Sequence, residues 1–176
     1  PIDIWINNAG VDQEHKSIDE LNEQEIKRVI DVNVIGSMYG TSIAIDHFKK
    51  QKKGIVYNME GLGSNNMKIP KTIVYGSSKR LITYFSEAAN KELKSHKDIF
   101  VGRLQPGMVF TELLKRGMTE EGQKIALIIG NHVHEITPFL VNGMLKRKRV
   151  VQWLTTRKIL FKFLTAPFRK KNKDIF

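Results

Sequence analysis

Four short apolar runs, Ile2–Ile6, Gly54–Asn58, Ile99–Leu104 and Arg149–Leu154, set the frame for this chain. Each is rich in β-branched or aromatic residues and has the length of a buried strand. The first ends in Asn7-Asn8-Ala9-Gly10 and the third in Gln105-Pro106-Gly107, which are turn compositions. Helical patterns fill the gaps. Asn22 followed by Glu25 suits a helix start, and Ile26, Val29, Ile30 and Val34 then recur at helical spacing. This helix is predicted to run to about Lys50, where Lys49, Lys50, Lys52 and Lys53 suit its C-terminal dipole. Asn33 and Gly36 are poor interior helix formers, and an asparagine there can open a local bend. Further helices are predicted over Val74–Lys94, over most of Thr111–Gly130, from Thr137-Pro138 to about Leu145, and over Thr156–Ala166, stopped by Pro167. Met59–Thr72 reads as a polar loop. The order β-α-β-α-β-α-β predicts an α/β fold, a parallel sheet with helices on its faces.

Composition narrows the chemistry. The 176 residues contain no cysteine, which excludes disulfides, thiol catalysis and Cys-ligated zinc. Pro1-Ile2-Asp3 lacks the basic start of a signal peptide, and no apolar run approaches the ~20 residues that cross a bilayer. A cytoplasmic location is therefore expected, with peripheral membrane contact as an extension of it. The net charge of +11 is concentrated at one end. Eleven of the 29 basic residues but only one of the 18 acids fall from Lys146 onward, so the preceding domain is nearly neutral. A basic tail of this kind meets an anionic surface more readily than a uniformly basic fold does. The domain is taken as residues 1–154, with a basic, apolar C-terminal helix and tail over 155–176.

The predicted helix Val74–Lys94 carries Tyr75 and Lys79 at i and i+4, which places a phenol beside an ammonium. The ordinary tyrosine pKa of about 10 is too high for base chemistry at neutral pH, and a neighbouring cation favours the phenolate. Such a pair can protonate a carbonyl oxygen while hydride arrives at its carbon. The spacing alone is common, and a solvated Tyr/Lys pair is its ordinary explanation.

Other motifs raise its weight. Asn7-Asn8-Ala9-Gly10, Asn33 in Asn33-Val34-Ile35-Gly36, Tyr75 with Lys79, and Pro106-Gly107-Met108-Val109-Phe110-Thr111 occur in one order at consistent spacing. Together they resemble the NNAG, helix-asparagine, YxxxK and PGxxxT motifs of the short-chain dehydrogenase/reductase family, over about Ile2 to Trp153. More narrowly, IDIWINNAG, YNMEGLGS and LQPGMVFTELL resemble the chlorophyll b reductase branch and its bacterial relatives. The resemblance implies a Rossmann-like, doubly wound sheet, of which this chain would supply strands four to seven. It also implies an NAD(P)-dependent oxidoreductase acting on a carbonyl or alcohol substrate.

The resemblance assigns roles residue by residue. Tyr75 would be the general acid, Lys79 would lower its pKa and hold the nicotinamide ribose, and Asn33 would position a water that links Lys79 to solvent. Asn8, Ala9 and Gly10 would meet the adenosine part of NAD or NADP. Pro106, Gly107 and Val109 would shape the loop beside the nicotinamide, and Thr111 would bond the carboxamide or diphosphate. Homo-oligomers through the two long helices would be expected.

Two departures stand out. The family's substrate-orienting serine follows the fifth strand, where this chain has Glu60-Gly61. Ser64 is the nearest hydroxyl, with Glu60 or backbone N–H groups as the other candidates. The family's N-terminal half, with TGxxxGxG, is absent from these residues, so a piece of a longer protein with an exposed apolar sheet edge is expected. The alternative function is then a truncated or non-catalytic module acting through oligomerisation or membrane-surface binding.

Three features remain. His132-Val133-His134-Glu135 has two histidines and an acid but no distal third ligand, and reads as a loop before a helix. Met108, Leu113, Leu114 and Met118 follow Pro106-Gly107 and fit an apolar lid over the substrate, or ordinary packing. Trp153, Leu154, Ile159, Leu160, Phe161, Phe163 and Leu164, flanked by Lys and Arg, fit an anionic membrane surface or an oligomer contact. Nucleic acid fits less well, because the aromatics do not alternate with cations.

Overall fold

A computed structural model describes residues 1–115 and 118–168; the basic tail from residue 169 lies outside the described residues. Four parallel strands form one sheet in chain order: β1 (Ile4–Asn7), β2 (Gly54–Met59), β3 (Ile99–Gln105) and β4 (Val150–Gln152). The register pairs Asn7 with Asn58 and Met59 with Leu104, so the strands end together at one edge of the sheet.

Strand periodicity divides the core into two layers. On one face, Ile55, Tyr57, Phe100, Leu104 and Val151 pack with Ile136, Leu140 and Met144 of α6 (Val133–Leu145). On the other, Val56, Ile99 and Val101 pack with Ala44 and Phe48 of α2 (Gly36–Gln51) and Ala89 of α3 (Ile73–Glu92). Both faces are covered, which is why β2 is buried almost throughout. β1 forms an edge of this sheet, and Ile6 within it and Ile2 just before it are exposed, as the sequence leads one to expect.

The first long helix is not uniform. α1 (Glu23–Ile30), N-capped by Asn22, runs into a π-helical segment, Asp31–Ile35, before α2. There the Gly36 N–H reaches back five residues to the Asp31 carbonyl. The extra residue in the turn falls on Asn33, and such insertions are recurrent at functional positions. Thr137-Pro138 does not open a helix. α6 begins at Val133, capped by His132, whose N–H donates to Glu135 Oε2 at 2.7 Å. The Glu135 carboxylate, which accepts the His132 N–H, caps this start, and Pro138 is accommodated inside the helix. The segment after β3 forms two helices, α4 (Glu112–Lys115) and α5 (Glu120–Ile129). α7 (Thr156–Thr165) follows β4, and Pro167 lies in a 3₁₀ turn that extends it.

Candidate active site

The motif residues follow the C-terminal ends of three adjacent parallel strands, where ligands of such sheets gather. Asn8–Gly10 follow β1, Glu60–Ser64 follow β2, and Pro106–Thr111 follow β3. Tyr75 and Lys79 approach from the first turns of α3, and Asn33 from the π-helical segment.

Asn33 is fully buried and joins three elements. Its Oδ1 accepts the Val11 N–H at 2.8 Å, and its Nδ2 donates to the Val11 carbonyl at 2.9 Å and to Ser78 Oγ at 3.0 Å. Ser78 in turn donates to the Tyr75 carbonyl at 2.7 Å. The asparagine therefore fixes both the loop after β1 and the turn of α3 that carries the tyrosine.

Lys79 is buried, and its Nζ donates to the Met59 carbonyl at 3.2 Å. The same Nζ lies 5.8 Å from the centre of the Tyr75 ring. A Cβ at Gly10 would come within 3.3 Å of it and within 3.5 Å of Asn33 Oδ1, so the backbone after β1 passes close beside both groups. On the opposite side, a Cβ at Gly61 would lie 2.6 Å from the Tyr75 hydroxyl and 3.3 Å from Lys79 Cγ. The structure thus brings Gly10, Asn33, Gly61, Tyr75 and Lys79 together.

Burial, and not the ion pair expected from spacing, governs the two titratable groups. It pushes the Tyr75 phenol up to about 12, with the charge of Asp12 adding in the same direction. It pushes the Lys79 ammonium down to about 8, opposed by the charge of Glu60. Desolvation disfavours whichever form carries charge, so it moves a phenol up and an amine down. At neutral pH the phenol is therefore a proton donor.

Ser64 is buried and engaged with its own loop and with α3. Its Oγ accepts the Gly61 N–H at 3.1 Å and donates to the Lys79 carbonyl at 3.3 Å, bracing the loop against α3. The position that faces the Tyr75 hydroxyl is Gly61. Glu60, also buried, points to α3 and β3: its Oε1 accepts from Thr83 Oγ1 at 2.7 Å and pairs with Arg103 at 3.2 Å. Arg103 also reaches Glu87 at 3.1 Å.

The remaining motif residues are less enclosed. Asn8 and Ala9 are exposed at the turn after β1. Gly107 has φ +77°, and a Cβ there would strike Leu154, so the turn after β3 requires glycine. Val109 pairs with Asn131 in a short parallel bridge that folds the segment back. The exposed Thr111 accepts the Leu114 N–H at 3.3 Å and so caps α4. Met108, Leu113, Leu114 and Met118 are each half-buried around this segment.

Two contributors escaped the sequence reading. Gln13 is buried in the loop after β1, and its Oε1 accepts the N–H groups of Val74 at 2.7 Å and Tyr75 at 2.9 Å. It closes the start of α3 from a distant loop, and nothing local in the sequence marks it. Asn7 was seen only as part of a turn motif. Its Nδ2 donates to Asn58 Oδ1 at 2.7 Å and Thr41 Oγ1 at 3.0 Å, and Asn58 donates to Ser86 at 2.9 Å. This polar chain ties β1, α2, β2 and α3 beneath the site.

The sequence profile of the short chain dehydrogenase family matches residues 1–122. The chain belongs to this family. Curated relatives include a probable chloroplastic chlorophyll(ide) b reductase of Oryza sativa, 32% identical over 96% of this chain and 34% of that protein. A chloroplastic chlorophyll(ide) b reductase of Arabidopsis thaliana is 30% identical over 80% of this chain and 42% of the relative. The chain thus spans well under half the length of these relatives, and resembles that branch of the family. Among solved structures, a short-chain dehydrogenase from Sphingobium yanoikuyae in complex with NADPH superposes with a TM-score of 0.76. It is 21% identical and covers 95% of this chain and 63% of that one, which establishes the shared fold.

Several family features are therefore secure in this short-chain dehydrogenase chain. It has the parallel α/β sheet of an oxidoreductase family, and its neighbours are solved with nicotinamide cofactors. The residues fit such a group: a buried ammonium and a phenol lie together, and the glycines at 10 and 61 keep side chains away from both. Among the described residues no helix is long and apolar enough to cross a membrane.

Proposed function

We propose that this chain carries the proton-transfer half of an NAD(P)-dependent reductase acting on an apolar carbonyl compound. The observation that supports it most is the hydrogen-bonded series Asn33–Ser78–Tyr75, with Lys79 bonded to the Met59 carbonyl beside the Tyr75 ring, at the C-terminal edge of the sheet with glycines nearby. A bound nicotinamide would supply hydride to the carbonyl carbon. Tyr75 donates its proton to the carbonyl oxygen, and its protonated state at neutral pH suits the reductive direction. Lys79 would hold the nicotinamide ribose and would keep a positive charge beside the phenolate as it forms. Asn33 holds the loop and α3 in register. Asn8, Ala9, Gly10, Pro106, Gly107, Val109 and Thr111 border the cofactor. Met108, Leu113, Leu114 and Met118 form an apolar wall, which favours an apolar or ring-bearing substrate, as the names of the chlorophyll(ide) b reductase relatives also suggest.

Ser64 does not take the substrate-orienting role in this reading, since its hydroxyl braces Gly61 against Lys79. The test is titration of NADPH and NADH, with intact mass from the same sample, followed by turnover of apolar aldehydes and ketones by the chain and by any longer parent protein. Tyr75→Phe is expected to lower kcat by about 10²–10⁴-fold with nucleotide affinity retained. Equal turnover by this variant would overturn the mechanism.

A second reading, a non-catalytic module acting through self-association, draws on the helix surfaces. Ile35, Tyr39 and Ile43 of the first long helix and Ile73, Leu81 and Tyr84 of α3 are large, apolar and exposed. Two neighbouring apolar helix faces suit a homo-oligomer. Sedimentation of the wild type against Tyr39→Asp and Tyr84→Asp decides it: a monomer at high concentration ends this reading.

A further inference from the structure

The C-terminal helix α7 is turned opposite to the usual way. Its lysines face the protein, while Leu160, Phe161 and Leu164 face outward and Ile159 is half-buried. Lys162 Nζ donates to the carbonyls of Ile129 and Gly130 at 3.2 and 3.3 Å and to Asn131 Oδ1 at 2.8 Å, closing the C-terminal end of α5. Lys158 lies 3.7 Å from the centre of the Trp153 ring and 5.1 Å from that of Phe139. The opposite face carries Leu160, Phe161 and Leu164, which are 61%, 61% and 66% exposed, and continues to Phe168, 91% exposed. Their spacing of i, i+1, i+4 and i+8 makes one stripe along the helix. Arg157 is exposed at its start, and Arg169, Lys170, Lys171 and Lys173 follow it in sequence.

We infer that this stripe is a docking surface for an anionic lipid bilayer, with α7 lying in the plane of the interface. The apolar stripe would enter the boundary between headgroups and acyl chains, with Arg157 at its start and the basic residues that follow Phe168 in sequence supplying the positive charge that attracts anionic headgroups. Charge selects this occupant over a second copy of the chain. Arg157 at the start of the stripe, and Arg169, Lys170, Lys171 and Lys173 just after it in sequence, are accompanied by one acid, Asp174, so two copies meeting here would bring like charge together. The stripe is also contiguous and apolar, unlike the aromatic and cationic alternation of a nucleic-acid platform. The inference stands independently of the catalytic reading, because α7 contributes none of the residues assigned to proton transfer.

The test is co-flotation of the full 176-residue chain with vesicles of phosphatidylcholine, alone or with phosphatidylglycerol. The expected result is binding to the anionic vesicles at least about tenfold tighter than to neutral ones, weakening as salt rises. Leu160→Asp with Leu164→Asp is expected to abolish flotation. Both side chains are mostly exposed, so an unchanged melting temperature should accompany that loss. Three results would each overturn the inference: no flotation of the wild type, flotation unaffected by the double substitution, or self-association in solution that the substitution removes while vesicles bind nothing.

Discussion

The hydroxyl of Tyr75 rests against the backbone of Gly61, at a point where a Cβ would lie only 2.6 Å from it. Ser64 holds that backbone in place through the Gly61 N–H and ties it to the Lys79 carbonyl. The absence of a side chain at Gly61 thus leaves room for the phenol oxygen.

Gly61→Ala should therefore act on catalysis before stability. The added methyl must displace the phenol oxygen, and a shift of about 1 Å at a reacting group costs on the order of 10²-fold in rate. Steady-state kinetics on a competent carbonyl substrate would show it in kcat. Ser64→Ala loses one loop brace, worth about 1 kcal/mol, and should leave kcat within about tenfold. A larger loss in kcat from Ser64→Ala would mean that its hydroxyl touches the substrate.

Lys79 links function and stability with a definite sign. Its folded pKa of about 8 lies below the ordinary lysine value of 10.5, so the folded chain releases the proton more readily than the unfolded one. Burying the charged amine is a cost below pH 8. That cost disappears as pH rises from about 8 to 10.5, because the amine is then neutral in the folded and finally in the unfolded chain. Lys79→Met should stabilise the chain by on the order of 1–3 kcal/mol at pH 7, less by pH 10, while activity is lost. Urea unfolding of both proteins at the two pH values checks this.

Gln13 gives a test far from the reacting atoms in sequence. Its carbonyl oxygen satisfies the N–H groups of Val74 and Tyr75 at the start of α3. Gln13→Leu leaves both without that acceptor and should cost about 1–3 kcal/mol. The start of α3 carries Tyr75, so kcat should fall as well. Hydrogen exchange at the Val74 and Tyr75 amides should accelerate in the variant.

Glu60 and Arg103 form a partly buried pair in which one carboxylate oxygen, Oε2, has no hydrogen-bond partner. Arg103→Met would leave the carboxylate held by Thr83 alone, and should destabilise by about 3–5 kcal/mol. The double substitution with Glu60→Met should recover much of that loss, since no uncompensated charge then remains. A double-mutant cycle by urea denaturation measures the coupling.

Local chemistry already determined much of this protein. The strands were legible because β-branched runs such as Gly54–Asn58 suit burial in a sheet covered on both faces, and the turn motifs after them marked the edge at which the strands end together. Asn33 could be picked as a helix interruption, and its π-helical turn shows the effect of that residue. Tyr75 and Lys79 were linked by helical spacing alone. Tertiary structure decided the rest, because these outcomes depend on groups distant in the chain. Desolvation by the surrounding fold, and not the neighbouring cation, sets the protonation of Tyr75. Gln13 becomes a helix cap only when the loop after β1 reaches α3, about sixty residues later, which no local pattern encodes. Glu135 rather than Pro138 marks the start of α6, since its carboxylate satisfies the His132 N–H upstream of the proline. Which face of α7 points outward was settled by the carbonyls that Lys162 could reach, and these belong to the end of another helix.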